Sequence, residues 1–153
     1  MLIDLKRQLI AQLVESSRLL RNYIDNRAKS RGTTRAQWIV LFRLREQEGL
    51  SQVDLADVLE LQPISLVRLL DRLVEHGLLE RRHDPKDRRA NRLFLTTSGR
   101  QLVDELDSLR DAIAIDVLGD VPDNSIQASL DTLQDVKDRI KSFSEGTDTI
   151  AAK

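Results

Sequence analysis

The stretch SQVDLADVLELQPISLVRLLDRLVEHGLLERR, Ser51–Arg82, decides the fold. Ser51 and Asp54 have the spacing of a helix N-terminus, and Val53, Leu55, Ala56 and Leu59 form the apolar side of a short helix over Gln52–Leu59. Glu60-Leu61-Gln62 is a tight link. Pro63 then stands where a first helical residue belongs, because its missing N–H would have no intrahelical partner there. A second helix follows over Ile64–His76, burying Leu66, Leu69, Leu70 and Leu73, with Gly77 as its C-terminal cap. Two short strand candidates come next, Leu78–Arg81 and Arg92–Leu95, and Asp84-Pro85 starts the turn between them. Two closely linked helices followed by a hairpin describe a winged helix-turn-helix.

The flanks extend this unit in both directions. Upstream, Thr34 and Gln37 have capping-box spacing and open a helix through Trp38, Leu41, Phe42 and Leu44, which Gly49-Leu50 ends. Before it, Leu5, Leu9, Leu13, Leu20 and Ile24 recur at helical spacing, with a slack patch at Glu15-Ser16-Ser17. They predict one helix over Ile3–Lys29, roughly 40 Å long at 1.5 Å per residue, stopped by Ser30-Arg31-Gly32. Downstream, Thr96 caps a long helix with the stripe Leu102, Leu106, Leu109, Ile113 and Val117. After a break at Gly119–Asp123 containing Pro122, a last helix carries Ile126, Leu130, Leu133, Val136, Ile140 and Phe143. The expected fold is mainly α with a small β-hairpin, in one domain over residues 1–145. Within it, 31–96 form the winged helix-turn-helix, 1–30 and 97–145 form long terminal helices, and 146–153 form a flexible tail. The apolar stripes of the terminal helices exceed what one small winged domain can cover, which predicts a homodimer.

Composition narrows the function. The 153 residues are 41% hydrophobic and 32% charged, a globular profile, and they include no cysteine, so disulfides and thiolate metal sites are excluded. No apolar run approaches the roughly 20 residues that span a bilayer, and the amphipathic N-terminus lacks a signal-peptide core. A soluble, cytoplasmic protein without a membrane segment is the expectation. His76 near a helix C-terminus and His83 in the hairpin make a poor metal site, and no cofactor motif is present. Neither a GxSxG turn, nor a phosphate-binding glycine loop, nor a histidine beside a plausible nucleophile is found, so no enzyme is expected.

Charge is unevenly spread. Residues 1–30 carry +3, residues 31–100 carry +3 and residues 101–153 carry −7, for the whole-chain −1. An acidic last third would repel a polyanion, so any contact with nucleic acid falls to the middle of the chain. There the hairpin segment RRHDPKDRRANRLFLT, Arg81–Thr96, gathers Arg81, Arg82, Lys86, Arg88, Arg89 and Arg92 with almost no apolar residue in its loop. Charge runs are often only solvated faces, and an amphipathic helix often carries solvated arginines. The order of helix pair and hairpin favours double-stranded DNA. The second helix of such a pair enters the major groove, and QPISLVRLLDRL leaves Gln62, Ser65, Arg68 and Arg72 outward beside Pro63. In the wing, Lys86 suits a phosphate, Arg88 is a further DNA contact and Arg89 is the candidate for insertion into the adjoining minor groove, while Asp84 and Asp87 orient the arginines by pairing within the loop.

TTRAQWIVLFRL, QPISLVRLLDRLVEHGLLERR and DPKDRRANRLFLTTSG resemble the MarR family of bacterial transcription regulators, most of all its SlyA-like branch. The similarity covers Leu5–Phe143 in element order, and Asp87-Arg88-Arg89 followed by Leu95-Thr96 is its most specific part. The resemblance implies a homodimer held by the first and last two helices, bound to a palindromic operator, often as a repressor. Ser65 and Arg68 match its base-reading positions and Arg89 its minor-groove arginine. It also implies, for many members, relief by a small aromatic carboxylate or phenolic ligand. Trp38 and Phe42 fall on the lining of the family's pocket and Arg18 could meet a carboxylate, although Trp38 and Phe42 are equally explained as core. A winged-helix adaptor that binds protein instead of DNA is the alternative, against which Arg68, Arg88 and Arg89 argue.

Overall fold

A computed structural model describes the backbone of residues 1–151 and their side chains except at 88, 89 and 147–151. The elements run α1 (Leu2–Ser30), α2 (Arg35–Glu46), α3 (Gln52–Leu59), α4 (Pro63–Glu75), β1 (Leu79–Asp84), β2 (Asp87–Leu95), α5 (Thr97–Leu118) and α6 (Asp123–Ala151). By its internal contacts the chain divides into two compact units, Met1–Ile113 and Ala114–Lys153, with the division falling inside α5.

Local chemistry explains the helix boundaries in the first unit. Thr34 Oγ1 accepts from Gln37 N–H at 3.2 Å and Gln37 Oε1 accepts from Thr34 N–H at 3.1 Å, the reciprocal capping box expected from their spacing. Ser51 Oγ caps α3 through Asp54 N–H at 3.1 Å. At its other end α3 stops on Glu60 in the left-handed region, φ 53°, where turns of this type often use glycine. A non-glycine residue there costs about 1–2 kcal/mol, so packing on both sides must hold the turn. α4 ends in a Schellman arrangement: Leu78 N–H donates to Leu73 O at 2.9 Å and Gly77 N–H to Val74 O at 3.0 Å, with Gly77 at φ 71°.

The core gathers the inward faces of these elements. Leu41 and Leu44 of α2, Leu55 of α3, and Leu66, Leu70 and Leu73 of α4 are buried together with Leu79, Leu93, Val103 and Leu106. Each buried leucine contributes about 2 kcal/mol by removal from water. α1 joins this core only near its C-terminal end, through Tyr23, Ile24 and Ala28. The Trp38 indole N–H donates to Thr33 Oγ1 at 2.5 Å, and Thr33 Oγ1 donates to Ala28 O at 3.2 Å, which ties α2 to the end of α1. Farther out, Leu2, Ile3, Leu5, Leu9, Ile10 and Val14 are exposed along one continuous helix, with no slackening at Glu15-Ser16-Ser17.

The hairpin differs from its sequence reading in two respects. Its strands are longer than the four-residue segments expected, and the register shifts between His83 and Asp84, so that one step along β1 matches four along β2. Arg82, His83 and Asn91 have no alternating apolar pattern to announce a strand, and cross-strand pairing makes them one. In addition, Gly49 N–H donates to Leu93 O at 2.9 Å and Leu93 N–H donates to Leu50 O at 3.0 Å, while Ser51 bridges Arg92. The segment read as a simple break therefore pairs with β2 and fixes the wing to the start of α3.

In the second unit, the α5 end leads through Gly119–Pro122 into α6. Ser125 and Ile126 N–H both bond Pro122 O, at 3.0 and 3.1 Å. Where a flexible tail from Gly146 was expected, the α6 backbone stays helical to Ala151, since one glycine costs a helix only about 1 kcal/mol. Residues 152–153 of that tail lie outside the described residues.

Thr96 and Gly99 root α5 against the end of α4. Thr96 Oγ1 accepts from Gly99 N–H at 3.0 Å and donates to Gly77 O at 2.6 Å, and Thr96 N–H donates to Leu78 O at 3.1 Å. A Cβ on Gly99 would stand 2.1 Å from Leu78 O, a backbone atom that cannot swing aside. Gly99→Ala should therefore destabilise the fold by about 1–3 kcal/mol despite alanine's better helix propensity. Chemical denaturation of both proteins measures this, and a variant as stable as the parent would contradict the packing described.

Candidate nucleic-acid interface

The candidate surface is built on α4 and the wing. Leu66, Leu70 and Leu73 hold one side of α4 in the core, and this turns Gln62, Pro63, Ser65, Arg68 and Arg72 to the exterior, where all five are exposed. Gln62 is the N-cap residue but makes no side-chain cap bond, so its amide is not occupied by the helix. Ile64 also faces outward and is 73% exposed; the sequence reading passed over it because it sought polar groups.

The cations of the hairpin fall into two groups. Arg81 Nη2 bonds Asp71 Oδ1 at 2.6 Å and its Nε bonds Gln52 Oε1 at 2.8 Å, joining the wing to both α4 and α3. Arg82 pairs with Glu80 and lies over the Phe94 ring, 4.1 Å from its centroid. Arg92 pairs with Asp84 at 3.1 Å, the pairing within the loop that the sequence suggested. These three arginines hold the wing together. Sequence separation hid the first of them, since Asp71 and Gln52 lie 10 and 29 residues from Arg81.

The second group faces solvent. The side chains of Arg68, Arg72 and Lys86 are exposed and make no ion pair or hydrogen bond with described residues. The side chains of Arg88 and Arg89, the latter the expected minor-groove contact, lie outside the described residues; their backbone belongs to β2. No group of His, Asp or Glu among the described residues could hold a metal ion.

The expected ligand residues are not gathered in one place. Arg18 lines an open groove with Leu13, Val14, Ser17, Arg21, Asn22, Asp25 and Arg35, and neither Trp38 nor Phe42 lines it. Trp38 is buried with its N–H bound to Thr33. Phe42 is half-buried between the guanidinium groups of Arg45 and Arg110, at 5.2 and 4.3 Å. Asp107 bonds Arg45 and lies 3.5 Å from Arg110, and the Arg45 hydrogen bond holds its carboxyl below the ordinary carboxylate range.

Asp84 sets the wing tip. Its Oδ1 accepts from Lys86 N–H at 2.9 Å, closing an Asx-turn around Pro85, while Oδ2 accepts from Arg92. The Lys86 amide first, and Arg92 after it, hold the Asp84 carboxyl below its ordinary value against the opposing effect of burial. A depressed carboxylate contributes stability above its unfolded value of about 3.9 and loses it as pH falls through the folded value. Thermal melting of the parent and Asp84→Asn should therefore differ most above about pH 4 and converge in stronger acid. A gap of constant size from pH 7 to pH 2 would show that the charge contributes nothing.

Residues 33–90, from the turn before α2 into the wing, match the statistical model of the MarR family. Among solved structures, the chain is 28% identical to a transcriptional regulator of the MarR family from a Rhodococcus species, covering 86% of this chain and 94% of that one with a TM-score of 0.73. It is 27% identical to a mutant MarR from E. coli, over 86% and 95% of the two chains, with a TM-score of 0.69. The S. aureus MepR, solved as a complex with DNA, shares the fold at 24% identity over 84% and 96%, with a TM-score of 0.75. Over residues 33–90 the chain thus matches the MarR family, and along most of its length it is similar to solved transcription regulators of that family.

Proposed function

We propose that the protein is a sequence-specific DNA-binding regulator that acts as a homodimer on a palindromic operator. One observation carries the reading: Arg68, Arg72 and Lys86, the cations of α4 and the wing that pair with no described residue, project from the surface that a helix-turn-helix offers to DNA. Arg68 and Arg72 stand on the outward side of α4 and Lys86 at the wing tip, each exposed and without an intramolecular partner among the described residues. An adaptor would need an acidic protein partner to use them. The S. aureus protein of the same fold, solved with DNA, supports the same use.

The roles follow from groove chemistry. Arg68 reads a guanine through O6 and N7, Ser65 and Gln62 bond neighbouring bases or phosphates, and Arg72 and Lys86 neutralise phosphate. Arg89, with Arg88 beside it, reaches the minor groove by the family resemblance. Dimerisation rests on exposed apolar residues: Leu5, Leu9, Ile10 and Val14 on α1, and Leu130, Leu133 and Ile140 on α6. A two-fold dimer mirrors a palindrome with half-site centres roughly 10 base pairs apart. The protein would work in the cytoplasm, and no described helix is long and apolar enough to cross a membrane. Release by an aromatic ligand gains no support from Arg18, Trp38 and Phe42, which lie in separate surroundings.

Light scattering at micromolar concentration should give twice the 17.5 kDa chain mass. Binding to random duplex should weaken steeply with salt, and Lys86→Ala should flatten that dependence while lowering affinity on every sequence. Arg68→Ala should instead cost roughly 1–3 kcal/mol on the operator and relax preference at one base pair per half-site. A salt-independent or absent affinity for DNA would favour the adaptor.

A further inference from the structure

The tip of α4 is apolar where polar readers of DNA are expected. Leu61 and Val67 are each 39% exposed, Pro63 lies between them, and Ile64 is 73% exposed. Ile64 precedes Arg68 by four residues, so the two side chains share one face of the helix. Leu66, Leu70 and Leu73 already fill the inward side, and Ile64 has no place in that core. A water-facing isoleucine on the surface proposed to bind DNA gains by meeting an apolar feature within the groove. In the major groove the apolar feature is the C5 methyl of thymine.

We infer that Ile64 reads a thymine methyl in each half-site, next to the base pair contacted by Arg68. The inference rests on the DNA-binding reading above. β-Branching leaves Ile64 one strongly preferred rotamer in a helix, so little side-chain freedom is lost on contact. Pro63 contributes no N–H at the first helical position, which leaves the approach to the base edges without a donor that would have to shed water. Specificity at this position therefore comes from shape and apolar contact, independent of the hydrogen bonds of Arg68.

The test uses the full chain and duplexes selected from a random library. Each thymine of the best duplex is replaced singly by deoxyuridine, which removes only the methyl group. One thymine per half-site, within a base pair or two of the Arg68 position, should lose affinity about fourfold on substitution, the weight of one buried methyl. Ile64→Ala should bind the thymine and deoxyuridine duplexes equally, and Ile64→Val should keep most of the preference. Because Ile64 is exposed, the variants should melt with the parent, and the scan on the parent stands without them. Selection of a sequence followed by a flat deoxyuridine scan overturns this inference alone, and would leave Ile64 facing another macromolecule. The same fourfold loss in Ile64→Ala also overturns it. Failure to enrich any sequence overturns the DNA-binding reading together with it.

Discussion

The carbonyl of Leu78 is the point on which the recognition surface depends. It accepts Thr96 N–H at 3.1 Å and lies where a side chain on Gly99 would have to be. The same residue's N–H closes the end of α4 on Leu73 O. One peptide junction thus joins the last turn of α4, the root of β1 and the first turn of α5. The wing cannot rotate relative to α4 without breaking bonds at this junction. Arg81 adds a second tie further out, between β1, α3 and α4. The backbones of α4 and the wing are thereby held as one preformed frame, so binding has only the exposed side chains to order.

This construction explains the charge of the middle of the chain. Half-buried arginines such as Arg81 are costly to keep without a counter-charge, and Asp71 and Gln52 supply the bonds. Arg92 and Asp84 do the same at the tip. What remains on Arg68, Arg72 and Lys86 is uncompensated locally, and the field of the surface is set by these few groups more than by the formal total. The −7 carried by residues 101–153 brings the formal total of the chain to −1.

Features governed by residues close in sequence were legible. The capping box of Thr34 and Gln37, the limits of α3, Pro63 at the start of α4 and Gly77 at its end all follow from local backbone chemistry. Legibility failed where the deciding partner lay far away. The pairing of Gly49-Leu50 with Leu93 has no local signature, and the polar middle of the hairpin shows no alternation. At the site, the outward direction of Arg68 and Arg72 was readable from helical periodicity. Which arginines would be consumed by carboxylates was not, because Arg81 and Asp71 meet only in three dimensions. Ile64 is a different case: it carries no polar group, so a search for hydrogen-bonding readers does not select it, although its helix face leaves it 73% exposed.

The two parts of the first unit answer to different forces. The winged portion has its own core of leucines from α2, α3, α4 and the hairpin, and needs no second chain to bury them. The outer turns of α1 have none: apart from Leu13, Tyr23, Ile24 and Ala28, its apolar residues face water. Isolated helices are marginal, and most helical stability comes from packing an apolar face. The outer α1 therefore relies on whatever covers Leu5, Leu9 and Ile10, which in the proposed dimer is the other subunit. The chemistry that reads DNA is then fixed within each subunit, whereas the spacing of two such surfaces is fixed by contacts between subunits. A change at those contacts would move the two reading surfaces apart or together without altering a single base-contacting group, and operator spacing would be as much a property of the long helices as of the wing.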